Sequence, residues 1–191
     1  MAIKHKSSRK RNVLKEGHHK GPWWPIATWF GCGLSPITSG TVGSLGALPF
    51  AYVIHSLLGN AALLGASLVI FAVGTWASNQ YLAHMECKED PGEIVVDEVA
   101  GQWLLLSVLY PTLPSYIIGF LVFRAFDIIK PWPISLADRK IKGGFGVMFD
   151  DVLAGFIPAV AYVLLLWFGP EYGLEDTATW LADLMGAEYV P

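Results

Sequence analysis

The chain has 191 residues, 53% hydrophobic and 15% charged, with a net charge of −3 and a mean hydropathy of +0.46. Soluble domains carry roughly a quarter charged residues, whereas here 65 consecutive residues from Gly21 to Met85, 25 from Val99 to Phe123 and 19 from Val152 to Pro170 carry none. That pattern excludes a disordered or low-complexity chain and a basic nucleic-acid binder, and describes a small integral membrane protein.

In chain order, the first element is a basic head. Residues 1–20 hold seven of the thirteen Lys and Arg against Glu16 alone, so the head carries +6 and the remainder −9. No apolar run follows directly, so residues 1–21 are expected to be a cytoplasmic segment rather than a signal peptide, able to attract anionic lipid head groups. Residues 21–43 are too rich in Gly, Pro, Ser and Thr for one helix. Trp23, Trp24 and Trp29 suit the membrane–water boundary. Two helices, Ser44–Leu58 and Ala61–Ala83, then form a hairpin about Gly59-Asn60. The two cysteines, Cys32 and Cys87, have no metal-site spacing and read as buried or interfacial thiols.

The stretch Val99–Phe123 is interrupted by YPTLPS at 110–115. Proline inside a helix removes a hydrogen bond and clashes with the preceding turn, so two shorter helices, about 95–110 and 115–130, are expected. The last helix is Val152–Phe168, ending at Gly169-Pro170. The expected fold is all-α: a polytopic bundle of about five membrane helices with the N-terminus in the cytoplasm. Loops 84–98 and 130–151 then share the cytoplasmic face, as Arg139, Lys140 and Lys142 favour. Residues 169–191, with Glu171, Glu175, Asp176, Asp183 and Glu188 and no Lys or Arg, form an acidic tail on the other side. The rival is a water-soluble helical domain with an unusually apolar core.

In this topology the ionisable residues at the helix ends gather on one face. Asp97 and Glu98 open the third helix, Arg124, Asp127 and Lys130 close the fourth, and Asp150 and Asp151 open the fifth. Each group has a bland explanation, since acids suit helix N-termini and the i, i+3 charges suit ion pairs. Together the explanation weakens, because ionisable groups near a bilayer are costly and usually functional. Five carboxylates at one depth repel unless a cation sits among them, and an all-oxygen set suits Mg²⁺ or Mn²⁺ better than zinc. A second element is the glycine-rich run at 31–50, where Gly40, Gly43 and Gly46 alternate with Thr41 and Ser44. Exposed amides and a helix start at Ser44 could hold phosphate oxygens, or the small residues could serve close helix packing.

The runs GLSPITSGTVGSL, IVVDEVAGQW, FRAFDIIKPWPI and GGFGVMFDDVLAG, in this order, resemble the phosphatidylglycerophosphatase A family over residues 22–168. The resemblance implies a Mg²⁺-dependent lipid phosphatase of the bacterial inner membrane, and the topology above puts its site on the cytoplasmic side. It would convert phosphatidylglycerophosphate to phosphatidylglycerol and inorganic phosphate. In that chemistry Asp97, Glu98, Asp127, Asp150 and Asp151 bind metal or activate water, while Arg124 and Lys130, assisted by Thr41 and Ser44, hold the phosphate. A carboxylate attacking phosphorus to give an acyl phosphate is the other route.

Other phosphatase chemistries lack their residues. A cysteine phosphatase needs Cys-x5-Arg, but Thr38 and Glu93 stand sixth after Cys32 and Cys87. His55 lies in an apolar helix, His84 is isolated, and no Asp-x-Asp occurs. A divalent-cation transporter or channel is the alternative function, but it should carry acids near the bilayer midplane.

Overall fold

Glycine, proline and threonine divide the apolar sequence into helices. The computed structural model describes residues 21–85, 91–168, 180 and 183–185. The basic head and Cys87 lie outside the described residues, as does most of the acidic tail. The elements are α1 (Trp23–Ala27), a 3-10 turn (Cys32–Leu34), α2 (Ser39–Leu58), α3 (Asn60–His84), α4 (Val96–Leu106), α5 (Leu113–Ile129), α6 (Ile134–Lys140) and α7 (Gly143–Phe168). No strand occurs among the described residues, so the all-α expectation holds.

Local chemistry accounts for the boundaries. Gly59, at φ 82°, separates α2 from α3; a positive φ of this kind suits glycine. Thr112 caps α5 by accepting from the Ser115 amide at 3.3 Å. Pro114 stands in the first turn, where its missing amide has no helical partner to lose. The prolines therefore split the second apolar stretch as expected. At the other end of α5, Lys130 adopts a left-handed conformation (φ 44°, ψ 59°), and Pro131 follows.

Helix α4 is the centre of the bundle. All eleven of its residues are buried, and it is too short, at about 16 Å, to cross a hydrocarbon core of about 30 Å. Its backbone touches that of α7: a Cβ on Gly101 would lie 2.1 Å from the Asp151 carbonyl oxygen, and one on Gly155 1.9 Å from the Gly101 carbonyl oxygen. Trp103 Nε1 donates to the Ala47 carbonyl of α2 at 3.1 Å, and Ser67 Oγ of α3 donates to the Ala100 carbonyl at 2.7 Å. Helices α2, α3 and α7, of 20, 25 and 26 residues, are long and apolar enough to cross a membrane. They and α5 expose Leu57, Leu68, Leu121, Phe156 and Leu164 outward, a surface that suits acyl chains rather than water.

Two ends of the bundle are distinguishable. At one, His55 Nδ1 of α2 meets Tyr116 Oη of α5 at 3.1 Å, and Asn60 at the start of α3 donates to the carbonyls of Ser107 and Leu109. There too Ser115 Oγ donates to the carbonyl of the buried Met185 at 3.1 Å. At the other, the Gly144 amide donates to Asn79 Oδ1 near the end of α3, and the start of α4 meets the end of α5. Helices α2, α3, α4, α5 and α7 thus alternate in direction.

Three expectations require correction. Two stretches read as connections contain short helices, α1 and α6, so the described residues form these two beside the five longer helices. Helix α2 begins at Ser39, not Ser44, because its glycines lie inside the helix and meet neighbours: a Cβ on Gly43 would lie 2.7 Å from Val95 Cβ. Helix α7 begins at Gly143, not Val152, so Asp150 and Asp151 lie two turns inside it and do not cap its start.

Candidate active site in an acid cluster at one end of the bundle

Asp97 and Glu98 occupy the first turn of α4. Asp97 Oδ1 accepts from the Glu98 amide at 3.0 Å, which turns its carboxylate back over the helix start. The backbone approach of Gly101 to Asp151 then sets α7 so that Asp151 points at the same place. One ligand atom each of Asp97, Glu98 and Asp151, all buried, lie within 4.8 Å of one another. At an effective dielectric of about 20, each pair of ionised groups within 4.8 Å would repel by at least about 3.5 kcal/mol.

Arg124 closes the cluster from α5. Its Nη1 lies 2.6 Å from Asp127 Oδ2 and 3.6 Å from Glu98 Oε1, and donates to the buried Ser44 Oγ of α2 at 3.4 Å. Asp151 also interacts with Asp127, so Asp127 adjoins both the guanidinium and the buried trio. Gly40 of α2 is packed against this group: a Cβ there would lie 2.1 Å from Glu98 Oε1 and 3.2 Å from Arg124 Nη1. Ser39 Oγ, bonded to the Gly92 carbonyl, ties the start of α2 to the segment entering α4.

A second cluster adjoins the first. Successive helical residues point about 100° apart, so Asp150 faces away from Asp151 and pairs with Lys130 Nζ. The same ammonium lies 2.9 Å from Asp138 Oδ1 on α6. Burial opposes the Lys130 charge, but hydrogen bonds to Asp150 and Asp138 outweigh it and raise its pKa. The Lys130 hydrogen bond holds the Asp138 carboxyl below the usual range. The left-handed backbone at Lys130, uncommon for a side-chain-bearing residue, turns this lysine toward α6 and α7.

The sequence-selected residues therefore divide. Asp97, Glu98 and Asp151 converge; Asp127, Arg124 and Ser44 adjoin them; Asp150 belongs with Lys130. Thr41 is half-buried on the first turn of α2, and among the described residues it makes no hydrogen bond to the cluster. The glycine run is not a loop of exposed amides, because Gly40, Gly43 and Gly46 all lie within α2. The sequence reading missed Asp138, which lies across a proline-rich turn from Lys130 with no periodic relation to it. It also missed Gln102, one turn beyond Glu98 and fully buried.

The donor set suits a hard divalent cation. It is all oxygen, it has more negative charge than Arg124 can offset, and Glu98 Oε2 is buried without a partner among the described residues.

Comparisons with known proteins follow this geometry. Residues 25–166 match the phosphatidylglycerophosphatase A family. The chain is similar to a protein named phosphatidylglycerophosphatase A from Escherichia coli (strain K12), 42% identical over 72% of this chain and 80% of that protein. It is 34% identical to one of the same name from Haemophilus influenzae, over 85% of this chain and 97% of the relative. It is also 38% identical, over 74% of this chain and 92% of the relative, to a Bacteroides thetaiotaomicron protein named as a candidate phosphatidylinositol-3-phosphatase. No solved structure matches. Because the family match spans the segment that supplies every residue of the acid cluster, the chain belongs to the phosphatidylglycerophosphatase A family.

Proposed function

We propose that this protein is a Mg²⁺-dependent phosphatidylglycerophosphatase. It hydrolyses the phosphomonoester of phosphatidylglycerophosphate to phosphatidylglycerol and inorganic phosphate, from the cytoplasmic face of the bacterial inner membrane. The observation that carries the reading is the convergence of Asp97, Glu98 and Asp151 to within 4.8 Å beside Arg124, at one end of a bundle whose outer surface is apolar.

The chain's own groups divide the work. Asp97, Glu98 and Asp151 are the residues to hold the cation. When bound, that cation neutralises phosphate charge and lowers the pKa of a water molecule. Arg124 offers guanidinium N–H groups to the phosphate oxygens and offsets charge in the transition state; its Nε is buried and has no partner among the described residues. Asp127, at 2.6 Å, holds that guanidinium in place. Lys130, steered by Asp138 and Asp150, supplies the second positive charge. The amides of residues 39–41, unused by the first turn of α2, lie at the end of α2 where Gly40 packs against Glu98 and Arg124, and a phosphate oxygen is favoured at such an end. The lipid tails need no pocket, since the outer faces of the helices lie among acyl chains.

The test is phosphate release by purified protein in mixed micelles, with phosphatidylglycerophosphate and phosphatidylinositol 3-phosphate compared at equal surface fraction. Faster release from phosphatidylglycerophosphate, abolished by excess EDTA and restored by Mg²⁺, is expected. Faster release from the phosphoinositide would reassign the substrate, and full activity in EDTA would remove the cation.

A further inference from the structure

Gln102 is fully buried on α4, and neither its Oε1 nor its Nε2 has a hydrogen-bond partner among the described residues. Glu98 Oε2, four residues earlier, is in the same condition. A buried polar group without a partner is costly, so a purely structural role at this position would favour Leu or Met. Residues four apart on a helix stand above one another, with Cβ atoms about 5–6 Å apart.

The neighbours of α4 fix where Gln102 points. Gly101 faces α7 and α5: a Cβ there would lie 2.1 Å from the Asp151 carbonyl oxygen and 2.9 Å from the Phe123 ring. Trp103 faces α2, through its bond to the Ala47 carbonyl. At about 100° per residue, Gln102 projects between those two directions, away from α3, whose Ser67 bonds the Ala100 carbonyl. That is the sector in which Glu98 meets Arg124 of α5.

We infer that Gln102 is a positioning residue for Glu98: its amide donates, across one bridging water, to Glu98 Oε2, and so holds the carboxylate that converges with Asp97 and Asp151. The inference rests on the cation-dependent function proposed above. Outer hydrogen bonds of this kind orient metal-binding carboxylates, and losing one typically costs roughly 10–100-fold in affinity or activity.

The test is Gln102→Met, which keeps length and removes the amide, beside Tyr162→Phe, which removes another buried, unpartnered polar atom far along α7. Thermal unfolding is followed in EDTA and across a Mg²⁺ titration, with kcat and KM measured at each concentration. For Gln102→Met, the melting temperature in EDTA should be no lower than that of the unsubstituted protein. The Mg²⁺ concentration giving half the thermal shift should rise about tenfold, with KM for the lipid unchanged. Tyr162→Phe should leave the titration unchanged. An unaltered Mg²⁺ midpoint, a loss of stability in EDTA, or an effect confined to KM would each overturn the inference. Absence of any Mg²⁺ shift in the unsubstituted protein would instead overturn the cation reading, and this inference with it.

Discussion

Each acid in the cluster has a specific partner, and the partner decides what its loss should do. Gly40 carries no functional group, yet a methyl there would lie 2.1 Å from Glu98 Oε1. Gly40→Ala must displace that carboxylate, so the rate should fall at least about tenfold, on the scale of disturbing a group that supports a metal ligand, while the protein still folds. Initial-rate assays with parallel melting curves check this. Asp138 behaves differently because its pKa is lowered by the Lys130 hydrogen bond. A depressed carboxyl contributes stability above its unfolded pKa of about 3.9, which is lost as pH falls through the folded value. Lys130, whose pKa is raised, stays charged throughout that range. Asp138→Asn should therefore lower stability near pH 7, and the deficit should disappear in acid; a deficit that persists below the folded pKa of Asp138 would contradict the pairing. At this scale the sequence is informative for charge and poor for partnership. Ionisable residues stand out in a chain with only 15% charge, so all five acids, Arg124 and Lys130 could be selected. That Asp150 turns to Lys130 while Asp151 joins Asp97 and Glu98 depends on the helical phase of α7, which begins nine residues before the boundary expected from hydropathy.

Among the elements, α4 and α7 set the cluster, and glycine lets them approach. Glycine normally weakens a helix by about 1 kcal/mol relative to alanine, so Gly→Ala in open space should stabilise. Gly65 on α3 has nothing within 4 Å of a Cβ, and Gly65→Ala should raise stability slightly. Gly155→Ala puts a methyl 1.9 Å from the Gly101 carbonyl oxygen, backbone against side chain with no rotamer to yield. It should cost about 3 kcal/mol, at the upper end of overpacking effects. Thermal unfolding of the two variants should move in opposite directions; equal shifts would contradict the close contact of α4 with α7. The same pair explains which boundaries were legible. Prolines at 111 and 114 divided the middle stretch correctly, because a missing amide acts locally. For Gly40 and Gly43 the close-packing alternative was the right one, whereas Gly143 and Gly144 suggested a loop, because the bond from Gly144 to Asn79 leaves no local trace. The burial of every residue of α4 was equally hidden, since an apolar run reads alike whether lipid or protein surrounds it.

Across the whole molecule, the alternation of α2, α3, α4, α5 and α7 puts all the charged side chains of the cluster at one end and the His55–Tyr116 contact at the other. Combined with the basic head and the run of Arg139, Lys140 and Lys142, this predicts a cytoplasmic site. A cysteine at Lys142→Cys should react with an impermeant thiol reagent only after permeabilisation, and one at Glu175→Cys should react in spheroplasts. Labelling of both from the same side would contradict the arrangement. The proposed activity depends most on the buried trio holding a cation for phosphomonoester hydrolysis. Its most direct test is the initial rate of phosphate release from phosphatidylglycerophosphate across a Mg²⁺ titration, for the unsubstituted protein and Asp151→Asn, with melting temperature recorded alongside. Asn keeps the shape and removes one charge of the trio. Asp151→Asn should fold, melt no lower without Mg²⁺ because like charges are fewer, and lose at least about 100-fold in rate. A near-normal rate at low Mg²⁺ would contradict the account.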